Sequence, residues 1–140
     1  MAGRTRNVPA ERQRDHPIRA TLETVVPAHN DLSFRYVLEN MTDRDYPLPD
    51  ESDVTILGRR RSSGDLVPEA GGHVSGDFPL LVPARRLVHF ALVWTGDHEI
   101  DPAGVSDAVS RLDFVSFVVI DKVRQSRLEF PLSVTPPRRP

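Results

Sequence analysis

The sequence predicts an all-β fold, a sandwich of about seven or eight short antiparallel strands. Three observations carry that expectation. Apolar and polar residues alternate with a period of two in several short runs, as half-buried strands require. The runs are separated by turn-forming breaks, drawn from 8 Gly, 13 Pro and many Asp in 140 residues, and many short strands between such breaks indicate a sandwich or barrel. No segment sustains a helical apolar pattern over the ~10 residues that a convincing helix needs.

The elements follow in order. Leu22, Thr24 and Val26 alternate with Thr21, Glu23 and Val25 in a first short strand, and Pro27 to Asp31 breaks it. Leu32, Phe34, Tyr36 and Leu38 then alternate with Ser33, Arg35, Val37 and Glu39, which puts the apolar set inward and Arg35 and Glu39 in solvent. Residues 40–53, with Pro47 and Pro49, read as a long loop. Val54 to Leu57 forms a third strand that runs out into Arg59, Arg60 and Arg61. Residues 62–76 are glycine-rich and hold a hairpin or two loops around one short strand. Phe78 to Pro83 is apolar but interrupted by prolines, so it belongs at a sheet edge. Leu87 to Thr95 is a long strand with Val88, Phe90, Leu92 and Trp94 on one face. Residues 96–105 form a loop, and Ser106 to Ser110 one helical turn. Leu112 to Ile120 is apolar on both faces, which suggests a central strand. Leu128, Phe130, Leu132 and Val134 make the last strand.

The chain divides accordingly into an Arg-rich arm (1–19), disordered or loosely attached, a β-sandwich (20–135) and a Pro/Arg tail (136–140). A net charge of −2 and a pI near 6.2 lack the basic field that phosphate neutralisation demands, so no nucleic-acid partner is expected. Lys122 is the one lysine among 18 basic residues, but no spacing gives the arginines a shared task. With no Cys, thiolate nucleophiles, disulfides and Cys-ligated metals are excluded. The absence of an apolar run long enough to span a bilayer, or of an apolar signal core behind the first arginines, predicts no membrane insertion and a cytoplasmic protein.

Two segments carry a resemblance. One is Tyr36-x-Leu38-x-Asn40-x-Thr42 with Tyr46-x-Leu48-Pro49; the other is Phe114-x-x-Phe117-x-x-x-Asp121 with Arg127-x-x-Phe130-Pro131. Together they resemble uncharacterised bacterial immunoglobulin-like sandwich modules, small stand-alone or membrane-tethered domains. The resemblance implies an immunoglobulin-like sandwich over most of 20–134 and implies no activity for any residue. The ordered length also suits the ~100 residues of such a sandwich.

Candidate sites are few. Asp97, His98, Glu99 and Asp101 place four ligand-bearing side chains in a five-residue stretch of loop, a set able to take a hard cation or zinc. Asp43, Asp45, Asp50, Glu51 and Asp53 form a second acidic loop, with calcium as its functional reading. Arg59, Arg60 and Arg61 together with Arg85 and Arg86 are candidates for one interaction patch, and Phe78 and Leu80 for an apolar edge that pairs with a partner strand. His89 reads as a sheet residue. No G-x-S-x-G elbow is present, and Asp77 stands where a phosphate loop beginning at Gly71 needs lysine. Asn40-Met41-Thr42 is formally a glycosylation sequon. The expected function is a non-catalytic interaction or assembly module, binding a protein partner or a second copy without a cofactor. The alternative is a small-ligand binder, for sugar, lipid or metal, using the end loops 62–76 and 96–105. The exposure of Trp94 or Tyr46 in a concave loop cluster separates the two.

Overall fold

Strand β2 (Asp31–Asn40) buries every second residue, Leu32, Phe34, Tyr36, Leu38 and Asn40, so its sequence alternation is its burial pattern. Its neighbours are built on that row. In the computed structural model, which describes residues 16–68 and 72–133, β2 lies between β1 (Ile18–Ala28) and β8 (Leu87–Gly96), and β6 (Gly72–Gly76) follows β8. The second sheet has the order β10 (Ser126–Pro131), β9 (Phe114–Asp121), β4 (Val54–Arg60), β5 (Leu66–Pro68). All pairings are antiparallel, as are those of a third, two-stranded sheet of β3 (Tyr46–Leu48) and β7 (Leu80–Val82). The all-β expectation holds, with one short helix, α1 (Val105–Arg111). No helix among the described residues is long and apolar enough to cross a membrane.

The two larger sheets share one core. Phe34 meets Phe117 edge-on at 5.6 Å and Tyr36 meets Phe130 at 4.9 Å, each ring pair joining β2 to the opposite sheet. Such edge-to-face pairs add ~0.5–1.5 kcal/mol to the burial of the rings themselves. The Tyr36 hydroxyl donates to the Pro131 carbonyl at 2.8 Å, which satisfies the one polar atom of an otherwise fully buried ring. Burial pushes this phenol far above its usual range, so it remains a donor wherever the protein is folded.

Several boundaries differ from the sequence expectation. β1 begins at Ile18, inside the segment assigned to the arm, because Ile18 pairs with Asn40 and is itself buried. A bulge between Leu22 and Thr24 shifts its parity, so Leu22 and Val25 face inward, and Thr24 and Val26 do not continue the Leu22 face. Residues 40–53 contain β3, which is too short to show alternation. Residues 62–76 contain two strands, β5 and β6, which belong to different sheets. The helix has seven residues rather than one turn. β9 is an internal strand, as its pattern suggested, and β8 is internal as well. Arm residues 1–15, Gly71, Val134 and tail 136–140 lie outside the described residues.

One end of the two sheets is closed by hydrogen bonds. The buried Asn40 amide donates to the carbonyls of Arg44 (2.8 Å) and Val82 (2.9 Å), and its Oδ1 accepts from the Thr42 backbone N–H and hydroxyl. The Asn-x-Thr spacing is therefore a turn device, and the buried, fully engaged Nδ2 makes Asn40 no glycan acceptor in the folded chain. Beside it, His16 packs on Tyr46 at 5.4 Å, Arg124 covers the Tyr46 ring at 5.1 Å, and the Tyr46 hydroxyl meets Ser126 at 3.1 Å. His16 Nδ1 accepts from the Ile18 N–H at 3.0 Å, which ties the start of β1 to this cluster.

Two outcomes follow at this end. Asn40→Ala leaves the Val82 carbonyl without its buried side-chain donor and should cost about 1–3 kcal/mol, read as a drop in thermal midpoint; an unchanged midpoint would refute the clamp. Burial lowers the His16 pKa from 6.5, the Asp121 charge acting in the opposite direction. With the folded value below the unfolded one, its stabilising contribution is complete above pH 6.5 and is lost as pH falls through the folded value. His16→Gln should therefore flatten the fall in thermal midpoint on acidification from pH 7, and equal slopes in the two proteins would argue against this linkage.

Candidate ligand cleft

The other end of the sheets carries a cleft, and a pair of glycines positions the indole that borders it. Gly72 and Gly96 are register partners at the end of β6 and β8, on the face that also carries Trp94. A Cβ on Gly72 would lie 2.4 Å from Trp94 Nε1, and one on Gly96 2.3 Å from the far edge of the same ring. The indole thus lies across both strands, in space that a side chain on either glycine would occupy. Its Nε1 is buried without an acceptor among the described residues. Phe114 uses the same device in the opposite sheet, where a Cβ on Gly58 would stand 2.7 Å from its ring.

The segment after β8 builds a wall opposite the indole. The Ile100 N–H donates to the His29 carbonyl at 2.7 Å and its side chain is buried. Asp101 caps the following turn by accepting from Ala103 N–H at 3.0 Å. In α1, Val105, Ala108, Val109 and Leu112 recur at helical spacing and form the side packed on the core. The helix stops where Asp113 takes a left-handed backbone (φ 61) and its N–H bonds the Ser110 carbonyl. A bulge between Arg59 and Arg60 aligns Arg60 with Phe114 and leaves its guanidinium 4.0 Å from Asp113.

The result is a cleft of about 770 Å³, inside the ~300–1,000 Å³ range of small-molecule sites. Trp94, Ile100, Ala108 and Leu112 form its apolar lining, and Arg60, Asp97, His98, Glu99, Arg111 and Asp113 its charged mouth. The side chains of Asp97, His98, Glu99 and Arg111 make no hydrogen bond or ion pair with the described residues, and all four residues are exposed.

The structure distributes the predicted site residues unevenly. Asp97, His98 and Glu99 reach the cleft, but Asp101 is turned away to cap its own turn. Among the described residues no three His, Asp or Glu side chains are grouped to hold a metal ion, in this loop or in 43–53. In the latter, Asp43 pairs with Arg85 at 2.8 Å and Asp45 accepts from Ala84 N–H at 2.9 Å, so two of its acids fasten the 84–85 turn. The Arg85 guanidinium, hydrogen-bonded to it, holds the Asp43 carboxyl below its usual range.

The five arginines do not converge. Arg59, Arg60 and Arg61 leave β4 at the cleft end, whereas Arg85 bonds the Met41 carbonyl at the Asn40 end, roughly 20 Å away along the strands. Arg59 forms a two-pronged pair with Glu129 (2.6 and 3.2 Å), which Ser116 also engages, and Arg61 reaches the Phe114 carbonyl. Arg86 is exposed beside Arg85. Phe78 and Leu80 are turned toward the core, Phe78 meeting Phe90 at 5.2 Å; Leu81 is the exposed residue of β7. His89 lies exposed on the outer face, 3.5 Å from Glu23. Tyr46 is held between His16 and Arg124, while Trp94 faces a concave surface.

Sequence reasoning missed Arg111, Leu112 and Asp113 as cleft residues. The helical spacing Val105, Ala108, Val109, Leu112 was the available signal, masked by the brevity of the helix. Set against protein-family models, curated proteins and solved structures, the chain matches none. Gly96→Ala should displace the indole at a cost of ~1–3 kcal/mol, read as a lower thermal midpoint and a shifted Trp94 emission; Gly64→Ala, strained at φ +77 but meeting no atom within 4 Å, should leave the emission unchanged. Unaltered emission in Gly96→Ala would refute the glycine seat.

Proposed function

We propose that this protein is a non-catalytic binding domain that holds a small organic ligand against Trp94 in its end cleft. The observation that carries the reading is the seated indole: its position is fixed by the glycine pair, and it borders a cleft of ligand size. A rigid aromatic platform offers a large contact area with little side-chain entropy left to lose. Binding rather than chemistry is proposed because Asp97, His98 and Glu99 are exposed at the mouth, where water screens them.

The alternative, a module that pairs strands with a protein partner or with a second copy, has less support. Phe78 and Leu80 are engaged by the core, and β5 and β7 have three residues each, which makes them poor templates for strand addition. The edge of β1 lies alongside β10, which covers another candidate edge.

An immunoglobulin-like sandwich is part of the same proposal. In its support, the order β1-β2-β8-β6 facing β10-β9-β4-β5 corresponds to a four-stranded A-B-E-D sheet opposite G-F-C with one added strand. In such sandwiches binding loops cluster at the ends, where this cleft lies.

Trp94 is the one tryptophan of the chain, so its emission reports on the cleft without labelling. A fragment library screened by that emission should yield saturable binders, and the backbone amide shifts they cause in NMR spectra should gather at Trp94–Ile100 and Ala108–Asp113. Shifts gathered instead around Leu81, or a screen without any binder, would overturn the reading.

A further inference from the structure

The charges at the mouth of the cleft narrow the ligand class. Asp97 and Glu99 on one segment and Arg111 on the helix are exposed, lack partners among the described residues and carry opposite signs. Arg60 and Asp113 add a further pair of opposite sign. A ligand with a single charge meets groups of both signs around such a mouth. A hydroxyl group suits both, because it donates to a carboxylate and accepts from a guanidinium. Several hydroxyls around a ring can use both kinds of group together.

The indole makes a matching demand. Its π face is electron-rich and takes weakly positive C–H groups laid flat on it. The backing of Gly72 and Gly96 holds that face at one height and orientation. A pyranose offers both features: one face of C–H bonds, and a girdle of hydroxyls at the ring edge. We infer that the cleft takes a neutral sugar, with one pyranose stacked on Trp94 and its hydroxyls bound by Asp97, Glu99 and Arg111. The cleft, at about 770 Å³, has room beyond a single ring, so a short oligosaccharide should bind more tightly than its monosaccharide.

This inference rests on the cleft being a binding site, and the test separates the two. The 140-residue chain is titrated by calorimetry and Trp94 emission with a panel of neutral mono- and oligosaccharides, and in parallel with aromatic amines and aromatic carboxylates. The expected result is saturable binding of at least one sugar, weakened about 5- to 20-fold in Asp97→Asn, Glu99→Gln or Arg111→Gln. These exposed positions should leave folding intact, checked by circular dichroism; Trp94→Ala should abolish binding, and Trp94→Phe should retain part of it. Binding of amines or carboxylates with the sugars inert would overturn the inference and leave the cleft reading standing. Sugar binding indifferent to all three polar variants would place the sugar elsewhere and overturn it as well. Failure of every probe, together with an empty fragment screen, would remove both readings.

Discussion

The buried row of β2 is the constraint on which the rest of the structure depends. Leu32, Phe34, Tyr36, Leu38 and Asn40 all point into the space between the sheets, and β2 has a full-length neighbour on each side. A slip of one residue would turn the whole row outward, so both registers are fixed by hydrophobic burial. The same row reaches the other sheet through Phe34 and Phe117, Tyr36 and Phe130, and the hydrogen bond from Tyr36 to Pro131. One strand thus aligns its own sheet and docks it on the second.

The two ends of the sheets have been given opposite treatments. At the Asn40 end, side-chain amide, hydroxyl and ring contacts satisfy the turns. At the Trp94 end, two glycines make room for the indole, which borders the cleft together with residues of the segment after β8 and of α1. Gly72 and Gly96 have no side chain to pack, and the Trp94 ring occupies that place on both strands. An aromatic ring fixed in this way at the border of a cleft is the physical basis for proposing function at that end.

Long, regular elements were legible in the sequence. β2, β8 and β9 were readable because alternation, or continuous apolarity, persists over eight residues or more. β3 and β5 were not, since three residues cannot display a period. The face reversal within β1 was hidden because a bulge is a property of pairing, seen only when the partner strand is in place. Half of the candidate site was legible in the same sense. The segment Asp97 to Asp101 stood out by composition, but its chemistry was read as metal ligation because distance along the chain was the only distance available. In the fold Asp101 turns to its own loop, and Arg111 approaches from an element that composition did not distinguish.

By itself, then, the sequence determined the all-β class, the inner faces of the long strands, and the exclusion of cysteine chemistry. These depend on local pattern and residue type, and a chain carries both before it folds. Tertiary structure decided which ends of which strands meet. It divided the arginines between two ends, took Phe78 and Leu80 into the core, and brought Trp94 opposite α1 across a cleft. Such juxtapositions arise from long-range pairing of Gly72 with Gly96 and of β4 with β9. Their partners are separated by tens of residues, and no local pattern records which of the possible pairings buries the most surface.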